Sequence, residues 1–171
     1  MYIGIMSDSH DHLGNIEKAA RLLAEKGVQK VVHCGDMIAP FIKRALTPFI
    51  GKNIELLGVF GNNDGERIGI KKILGEIMQI KGDFHEEEWD GKKIAIYHGT
   101  DARILNAFFD SQNYDLILTG HTHEIRIEQK GKTLLVNPGE ICGYLTGKAT
   151  CGIVDLKKIP NTSAVNILTI N

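Results

Sequence analysis

The feature that most constrains the fold is a series of five short apolar runs separated by longer segments with a helical pattern. The runs are rich in Ile, Val and Leu, and they cover residues 2–6, 30–34, 55–60, 93–97 and 115–118. Several of them are apolar at consecutive positions, as expected for strands that are covered on both faces. The runs therefore predict strands in the interior of an α/β fold.

The segments between these runs predict helices. Residues 13–27 carry an apolar stripe at helical spacing, and we expect Asn15 to cap the start and Gly27 to take the left-handed position just past the end. A second helix is predicted over residues 38–50, broken near Pro48, and weaker helical patterns cover residues 68–77 and 102–112. Strands and helices thus alternate as βα units.

The last third of the chain has a different pattern, dominated by hairpins. Asp90-Gly91 predicts a tight turn between residues 84–89 and 92–97. Two further hairpins are predicted, one joining residues 124–128 to 133–136 through Gly131 and one joining 150–156 to 164–170. We expect one domain over residues 1–171, α/β at first and α+β in the last third, in which a two-sheet β-sandwich is flanked by helices (α/β/β/α).

The charge of the chain is nearly balanced, with 20 Lys and Arg against 21 Asp and Glu. This balance lacks the basic excess of proteins that grip long nucleic acid, so it gives no strong nucleic-acid signal. A small phosphodiester or nucleotide substrate is compatible with it, because the local field matters more for such a ligand than the total charge. A homo-oligomer is also compatible with the sequence.

Three cysteines, Cys34, Cys142 and Cys151, are odd in number and widely spaced. This pattern favours free thiols in a reducing compartment over a disulfide framework. The residues after Met1 lack the basic and apolar regions of a signal peptide, and no apolar run approaches the ~20 residues of a membrane span. We expect a cytoplasmic protein with no membrane partner.

Each of the five apolar runs is followed by side chains that can bind a metal. In chain order these are Asp8 and His10, Asp36, Asn62, His98, and His121 with His123. In α/β sheets the ligand crevice lies beyond the carboxyl ends of the strands, so five such loops can converge. Glycine adjoins the ligand in four of the loops and permits a sharp turn and a close approach. Each motif alone is typical of a turn, but the repetition predicts a metal site.

These motifs resemble those of the calcineurin-like metallophosphoesterases. The residues that match are Asp8-x-His10, Gly35-Asp36, Gly61-Asn62-x-Asp64, His98-Gly99 and Gly120-His121-x-His123, in this order. The small size is similar to that of the single-domain prokaryotic phosphodiesterases of this family, whose fold the retromer scaffold subunit of eukaryotes shares. The resemblance implies that one metal ion is held by Asp8, His10, Asp36 and His123, and the other by Asp36, Asn62, His98 and His121.

The types of ligand agree with a pair of divalent cations. Carboxylate, imidazole and amide groups without thiolate favour Mn²⁺, Ni²⁺, Fe, Co²⁺ or Zn²⁺, and we expect two ions, with Mn²⁺ preferred. A bridging carboxylate of Asp36 would keep them ~3.5–4 Å apart, and a water between them would ionise at a pKa of about 7. We expect this metal-bridging hydroxide to hydrolyse phosphodiesters, with Asp36, Asn62 and His98 as catalytic residues.

Asn63 departs from the family pattern, because many members carry at this position a histidine that is assigned to protonating the leaving group. Asparagine supplies no proton at neutral pH. The expected substrates are therefore activated phosphodiesters with good leaving groups. Asp64 is expected to order this loop through hydrogen bonds.

Asn63, Arg67 and His12 are the candidates for contact with the substrate. Arg67 could bind a phosphate oxygen bidentately, with an exposed helix start as the alternative. His12 could face the substrate, with a surface or capping role as the alternative. Glu140 stands where serine is usual after the Asn137-Pro138-Gly139 turn, and we assign no chemistry to it.

Two other functions remain open at this stage. One is a phosphomonoesterase or nucleotide pyrophosphohydrolase that uses the same metals. The other is a binding scaffold that retains the fold. The complete ligand set argues against the scaffold, because burying unpaired His and Asp side chains costs several kcal/mol each.

Overall fold

The computed structural model describes residues 1–171. It contains two β-sheets with helices on their outer faces. The strands are β1 (Tyr2–Met6), β2 (Lys30–His33), β3 (Glu55–Gly58), β4 (Gln79–Ile80), β5 (Phe84–Trp89), β6 (Lys92–Tyr97), β7 (Leu116–Leu118), β8 (Ile125–Lys130), β9 (Thr133–Pro138), β10 (Thr150–Asp155) and β11 (Val165–Thr169). The α-helices are α1 (Leu13–Glu25), α2 (Ile42–Ala45), α3 (Arg67–Leu74) and α4 (Ala102–Ser111). The predicted α/β/β/α architecture is confirmed.

The strand order places the carboxyl ends of six strands where they can meet. The first sheet has the order β11-β10-β1-β2-β3-β4, and β1 to β4 are parallel to one another. The second sheet has the order β5-β6-β7-β9-β8, and β6, β7 and β9 are parallel. The loops after β1, β2, β3, β6, β7 and β9 carry every residue of the site described below.

Apolar side chains fill the space between the sheets. Ile3, Val32 and Leu57 of the first sheet pack in one buried cluster with Ile96 and Leu118 of the second. Their burial on consecutive strands stabilises the sandwich by roughly 1.5–3 kcal/mol for each large side chain. This double coverage is the physical reason that the apolar runs lack the alternation of a half-exposed strand.

The helices cover the outer faces of the sandwich. The stripe of α1 that the sequence predicts (Ile16, Ala19, Ala20 and Leu23) packs on the first sheet together with residues of α2 and α3. Leu105 and Phe109 of α4 pack on the second sheet. None of these helices has the length and apolar character that a membrane crossing needs.

The second predicted helix is shorter than expected. Only Ile42–Ala45 is α-helical, followed by a 3₁₀ turn at Thr47–Phe49. Ile38 has a positive φ of 80° and its N–H donates to Oδ1 of Asp64 at 2.7 Å, so the chain leaves the helical conformation at the predicted start. Pro40 lacks the N–H that a helix would use there.

The predicted cap of α1 is also wrong. The side chain of His12 accepts a hydrogen bond from the N–H of Asn15, which makes His12 the N-cap. The side-chain amide of Asn15 donates instead to the carbonyl oxygens of Ile141 and Cys142 at 3.0 and 3.3 Å. Gly27 has the left-handed conformation that was expected just past the end, with φ of 70°.

Candidate metal centre

The structure brings all seven predicted ligands to one edge of the sandwich. Asp8 and His10 follow β1, Asp36 follows β2, Asn62 follows β3, His98 follows β6, and His121 and His123 follow β7. Nε2 of His10 and Nε2 of His98 each lie 3.4 Å from Oδ2 of Asp36, which is therefore central. Oδ1 of Asp8 lies 3.4 Å from Nε2 of His123.

Five buried side-chain polar atoms have no hydrogen-bond partner within the protein, and three of them belong to predicted ligands: Oδ1 of Asp8, Nε2 of His10 and Nε2 of His98. The other two belong to the flanking residues Ser7 and Asp11. Burying such atoms without partners is costly, and their mutual approach is unfavourable unless a cation lies between them. Two groups have ligand atoms within 4.8 Å of one another: Asp8, His10 and His123, and Asp8, Asp36 and His98. The donor set fits divalent transition metals.

The two buried carboxylates make the metal-free centre attractive to positive charge. Burial opposes protonation of His98, but Asp36 and Asp8 outweigh it and raise the pKa of His98 above its ordinary value. Burial likewise opposes ionisation of Asp36, but His98 and hydrogen bonds from Asn63 hold the pKa of Asp36 well below its usual range. Burial and the neighbouring His98 lower the pKa of His121. The carboxylate of Asp36 thus stays ionised and draws cations to the centre.

The backbone is strained at five of the seven residues. Positive φ angles occur at Asp8 (51°), His10 (41°), Asp36 (59°), His121 (73°) and His123 (63°). Few residues other than glycine adopt this region, and each costs on the order of 1–3 kcal/mol when the surrounding structure enforces it. Because this strained conformation is concentrated at the predicted ligands, we infer that the fold holds these side chains in place for a function.

Two glycines allow the loops to approach closely. A Cβ atom at Gly61 would overlap with Oδ1 of Asp36, and one at Gly120 would overlap with Oγ of Ser7 and lie 2.6 Å from Oδ2 of Asp8. Neither overlap can be relieved by a shift of a flexible side chain, because Asp36 and Asp8 are themselves buried in the centre. These positions therefore require glycine.

Asp64 orders the loop as expected. Its carboxylate accepts hydrogen bonds from the N–H groups of Gly61 (2.7 Å), Ile38 (2.7 Å) and Asp36 (3.1 Å). It thereby ties the loop after β3 to the loop after β2. The two ligands Asp36 and Asn62 are held together by a residue that is not a ligand.

Asn63, Arg67 and His12 lie at different distances from the centre. Nδ2 of Asn63 donates to Oδ2 of Asp36 at 2.7 Å, so it touches the central carboxylate directly. Arg67 donates to the carbonyl oxygens of Asp64 and Gly61 and lies over the ring of Phe60, beside Asn62. His12 caps α1, the role that the sequence left as its alternative.

A shallow cavity of about 330 Å³ opens beside Asn62. It is lined by Phe60, Gly61, Asn62, Arg67, Asp83, Tyr97 and Thr100. Nδ1 of His121 lies 2.9 Å from Oδ1 of Asn62, so the cavity is separated from the centre only by one pair of ligands. A larger depression of about 600 Å³ lies among residues 29–77, and none of the seven predicted ligands lines it.

Sequence reasoning missed Glu140. This residue is fully buried, and its Oε2 accepts a hydrogen bond from Nδ1 of His123 at 2.6 Å. Burial opposes ionisation, but hydrogen bonds from Cys142, His123 and Thr146 lower the pKa of Glu140 to about 2. A signal was present, because β9 is a sixth apolar run that ends on glycine and a carboxylate, in the pattern of the other five.

Two buried features lie outside the seven predicted ligands. His33 is a packed core residue, with Nδ1 accepting from the N–H of Gly35 and Nε2 3.0 Å from Oγ of Ser9. All three cysteines are buried and unpaired, as predicted.

Comparison with known proteins gives a consistent result. Residues 1–159 match the model of the calcineurin-like phosphoesterase superfamily domain. A phosphodiesterase of Methanocaldococcus jannaschii is 43% identical over 160 residues, which cover 92% of this chain and 95% of the relative. The solved structure of an archaeal phosphodiesterase is similar with a TM-score of 0.88 at 40% identity, covering 99% of both chains.

A more distant similarity concerns the fold alone. Wild-type Vps29 of Entamoeba histolytica, solved in complex with zinc, has a TM-score of 0.65 at 15% identity, with both chains covered completely. At this identity the similarity extends to the sandwich and its helices and carries no statement about activity.

Proposed function

This chain belongs to the calcineurin-like phosphoesterase superfamily and is a metal-dependent phosphodiesterase, and we propose that it hydrolyses activated phosphodiesters at a dinuclear centre. The observation that carries the proposal is the convergence of five strand ends on unpaired buried ligand atoms of Asp8, His10 and His98. A fold that served only as a scaffold would have no reason to bury these atoms without partners.

The ligands divide into two positions that share Asp36. Asp8, His10 and His123 surround one position, and Asn62, His98 and His121 surround the other. Two divalent cations, with Mn²⁺ preferred, would supply a hydroxide nucleophile at neutral pH and neutralise the phosphoryl oxygens. Asp36 fixes the spacing of the two positions, and His98 and Asn62 orient the phosphate at the second.

Asn63 limits the chemistry of the leaving group. Its amide donates to Oδ2 of Asp36 at 2.7 Å, and an amide supplies no proton at neutral pH. A leaving alkoxide would therefore depart without protonation by this residue, at a loss of about 10²–10⁴ in rate. Diesters with aryl or comparably good leaving groups avoid this loss.

The cavity beside Asn62 is suited to the organic part of the diester. Phe60 and Tyr97 offer aromatic carbon, while Thr100 and Arg67 offer polar contacts. Arg67 is held in place by the carbonyl oxygens of Asp64 and Gly61 and by Asp83, whose Oδ1 lies 2.8 Å from Nη1. A small diester or nucleotide fits this volume, whereas a duplex does not. Asn63 completes the set of proposed substrate contacts, whereas His12 caps α1.

The three unpaired cysteines favour a reducing compartment such as the cytoplasm as the place of action. A homo-oligomer remains compatible with the proposal, because the site is complete within one chain.

The experiment uses protein freed of metal by a chelator and bis-4-nitrophenyl phosphate as the chromogenic diester. We expect hydrolysis to begin on addition of Mn²⁺ and to stop on renewed chelation. His98→Ala should abolish the activity, whereas His85→Ala, which removes a histidine far from the centre, should leave it unchanged. Activity that persists without metal would overturn the proposal. Inertness with Mn²⁺, Ni²⁺, Co²⁺ and Zn²⁺ would favour a binding scaffold.

A further inference from the structure

Glu140 is a buried carboxylate outside the seven ligands, and its two oxygens have different partners. Oε1 accepts hydrogen bonds from the N–H groups of Leu145 and Thr146 and from Oγ1 of Thr146 at 2.6–3.0 Å. Oε2 accepts from Nδ1 of His123 at 2.6 Å, from Sγ of Cys142 at 3.0 Å and from the N–H of Tyr144 at 3.1 Å. Both oxygens therefore bind the 144–146 loop, and Oε2 alone also binds the imidazole.

The hydrogen bond from His123 determines which nitrogen carries the proton. An ionised carboxylate only accepts hydrogen bonds, so Nδ1 must be the protonated nitrogen. In the neutral imidazole the lone pair of Nε2 is then free, and Nε2 lies 3.4 Å from Oδ1 of Asp8. A carboxylate behind a histidine fixes the orientation and raises the basicity of the imidazole towards a cation.

The same carboxylate joins His123 to the 144–146 loop. The loop that donates to Oε1 carries Tyr144, whose ring centroid lies 5.7 Å from that of His12 at the start of α1. Asn15, in the first turn of α1, donates to the carbonyl oxygens of Ile141 and Cys142. The loop, the helix start and His123 are thus connected through one side chain.

We propose that Glu140 is a positioning residue that keeps His123 in the tautomer with Nε2 free for the cation held by Asp8 and His10. The inference rests on the proposed dinuclear centre and assigns a function to a residue outside it. Glu140 touches neither substrate nor cation.

Glu140→Gln is the sharpest variant, because it keeps the size of the side chain and replaces one acceptor with a donor. If the amide N–H₂ faces His123, it donates to Nδ1 and forces the proton to Nε2, which can then no longer bind a cation. Titration of metal-free protein with Mn²⁺ in a calorimeter should show one of two sites weakened about 10- to 100-fold. The other site should keep its affinity.

Thr146→Val is the matched control. It removes the hydroxyl contact with Oε1 and leaves the bond between Oε2 and His123 intact. We expect both Mn²⁺ affinities to equal those of the unmodified protein. If Thr146→Val weakens the same site as Glu140→Gln, Glu140 serves only to hold the loop and the proposal is wrong.

The tautomer of His123 can be measured directly by NMR in the wild-type protein. Long-range ¹H–¹⁵N spectra of the metal-free wild-type protein should show His123 protonated on Nδ1, and those of Glu140→Gln should show it protonated on Nε2. Protonation on Nε2 in the wild type overturns the proposal even if the variant does not fold. Wild-type protein that binds no pair of Mn²⁺ ions refutes the dinuclear centre instead. An unchanged titration of a Glu140→Gln protein in which His123 is protonated on Nε2 refutes only the role of Glu140.

Discussion

The two halves of the proposed centre differ in how completely the protein encloses them. The Asp8 half is the set Asp8, His10 and His123, and the Asn62 half is the set Asn62, His98 and His121. In the first, Asp8 and His123 are buried, His10 is half-buried, and Glu140 holds His123 through Nδ1. In the second, His98 is buried, but Asn62 is exposed, His121 is half-buried, and a cavity opens beside Asn62. Enclosure favours retention of an ion, and exposure favours entry and exit of a substrate.

This difference leads us to expect unequal metal affinities. Ligands held by hydrogen bonds lose little freedom when a cation binds, whereas exposed ligands must be ordered first. The Asp8 half should therefore bind its cation more tightly than the Asn62 half. The variants below test that division.

Removal of the shared ligand should have the largest effect. Asp36→Asn takes a charge from both halves, so we expect hydrolysis to fall about 10³-fold or more and both Mn²⁺ affinities to drop. Asp110→Asn, which neutralises an exposed carboxylate paired with Lys130, is the control and should change neither. Two ions bound at wild-type affinity by Asp36→Asn would show that the halves do not share this residue.

Substitutions confined to one half should have separate consequences. Asn62→Ala should reduce the Mn²⁺ stoichiometry from two to one and lower the rate about 10²-fold, while the tighter site persists. His10→Ala should weaken the tighter site instead. The measurement is calorimetric titration alongside steady-state rates. Loss of the tighter site in Asn62→Ala would reverse the assignment of affinities.

A proton donor placed in the Asn62 half should raise the rate of hydrolysis. With Asn63→His, diesters with poor alkoxide leaving groups should gain up to about 10²-fold in rate, while 4-nitrophenyl esters should gain little. A series of leaving groups measures the slope of rate against leaving-group pKa in both proteins. Rates of the wild type that are independent of this pKa would contradict a missing general acid.

Thiol reagents should not reach Cys142, which lies beside Glu140 in the Asp8 half. Burial, with Glu140 adding to it, raises the pKa of the Cys142 thiol to about 12, so almost no thiolate exists at pH 8. We expect a disulfide reagent to label no cysteine of the native protein at pH 8 and all three in denaturant. Reactivity should increase only as the pH approaches 12. Rapid native labelling of Cys142 would show that this half is open.

The sheets and the convergence of the seven side chains could be predicted from the sequence for one physical reason. Interior parallel strands must be apolar on both faces, so each strand is visible in the sequence as a short apolar run. The loops that follow these strands lie at one edge of the sheets, so the polar residue after each run is visible as a candidate ligand. The shortened second helix left none, because Ile38 is held by Asp64, 26 positions away. The cap of α1 was missed since histidine is not a usual cap.

Glu140 was missed for a related reason. Its donors come from His123 and from the 144–146 loop, which no local pattern joins to a carboxylate. Only the position after β9 was readable, as a sixth apolar run that ends at the same edge. Long-range hydrogen bonds of this kind depend on the assembled fold.

Anomalous diffraction from crystals soaked in Mn²⁺ would test the dinuclear centre most directly. A shared Asp36 predicts two peaks ~3.5–4 Å apart, one beside Asp8, His10 and His123 and one beside Asn62, His98 and His121, with the higher occupancy at the first. A single peak, or two peaks without Asp36 between them, would contradict a dinuclear centre built from these strand ends.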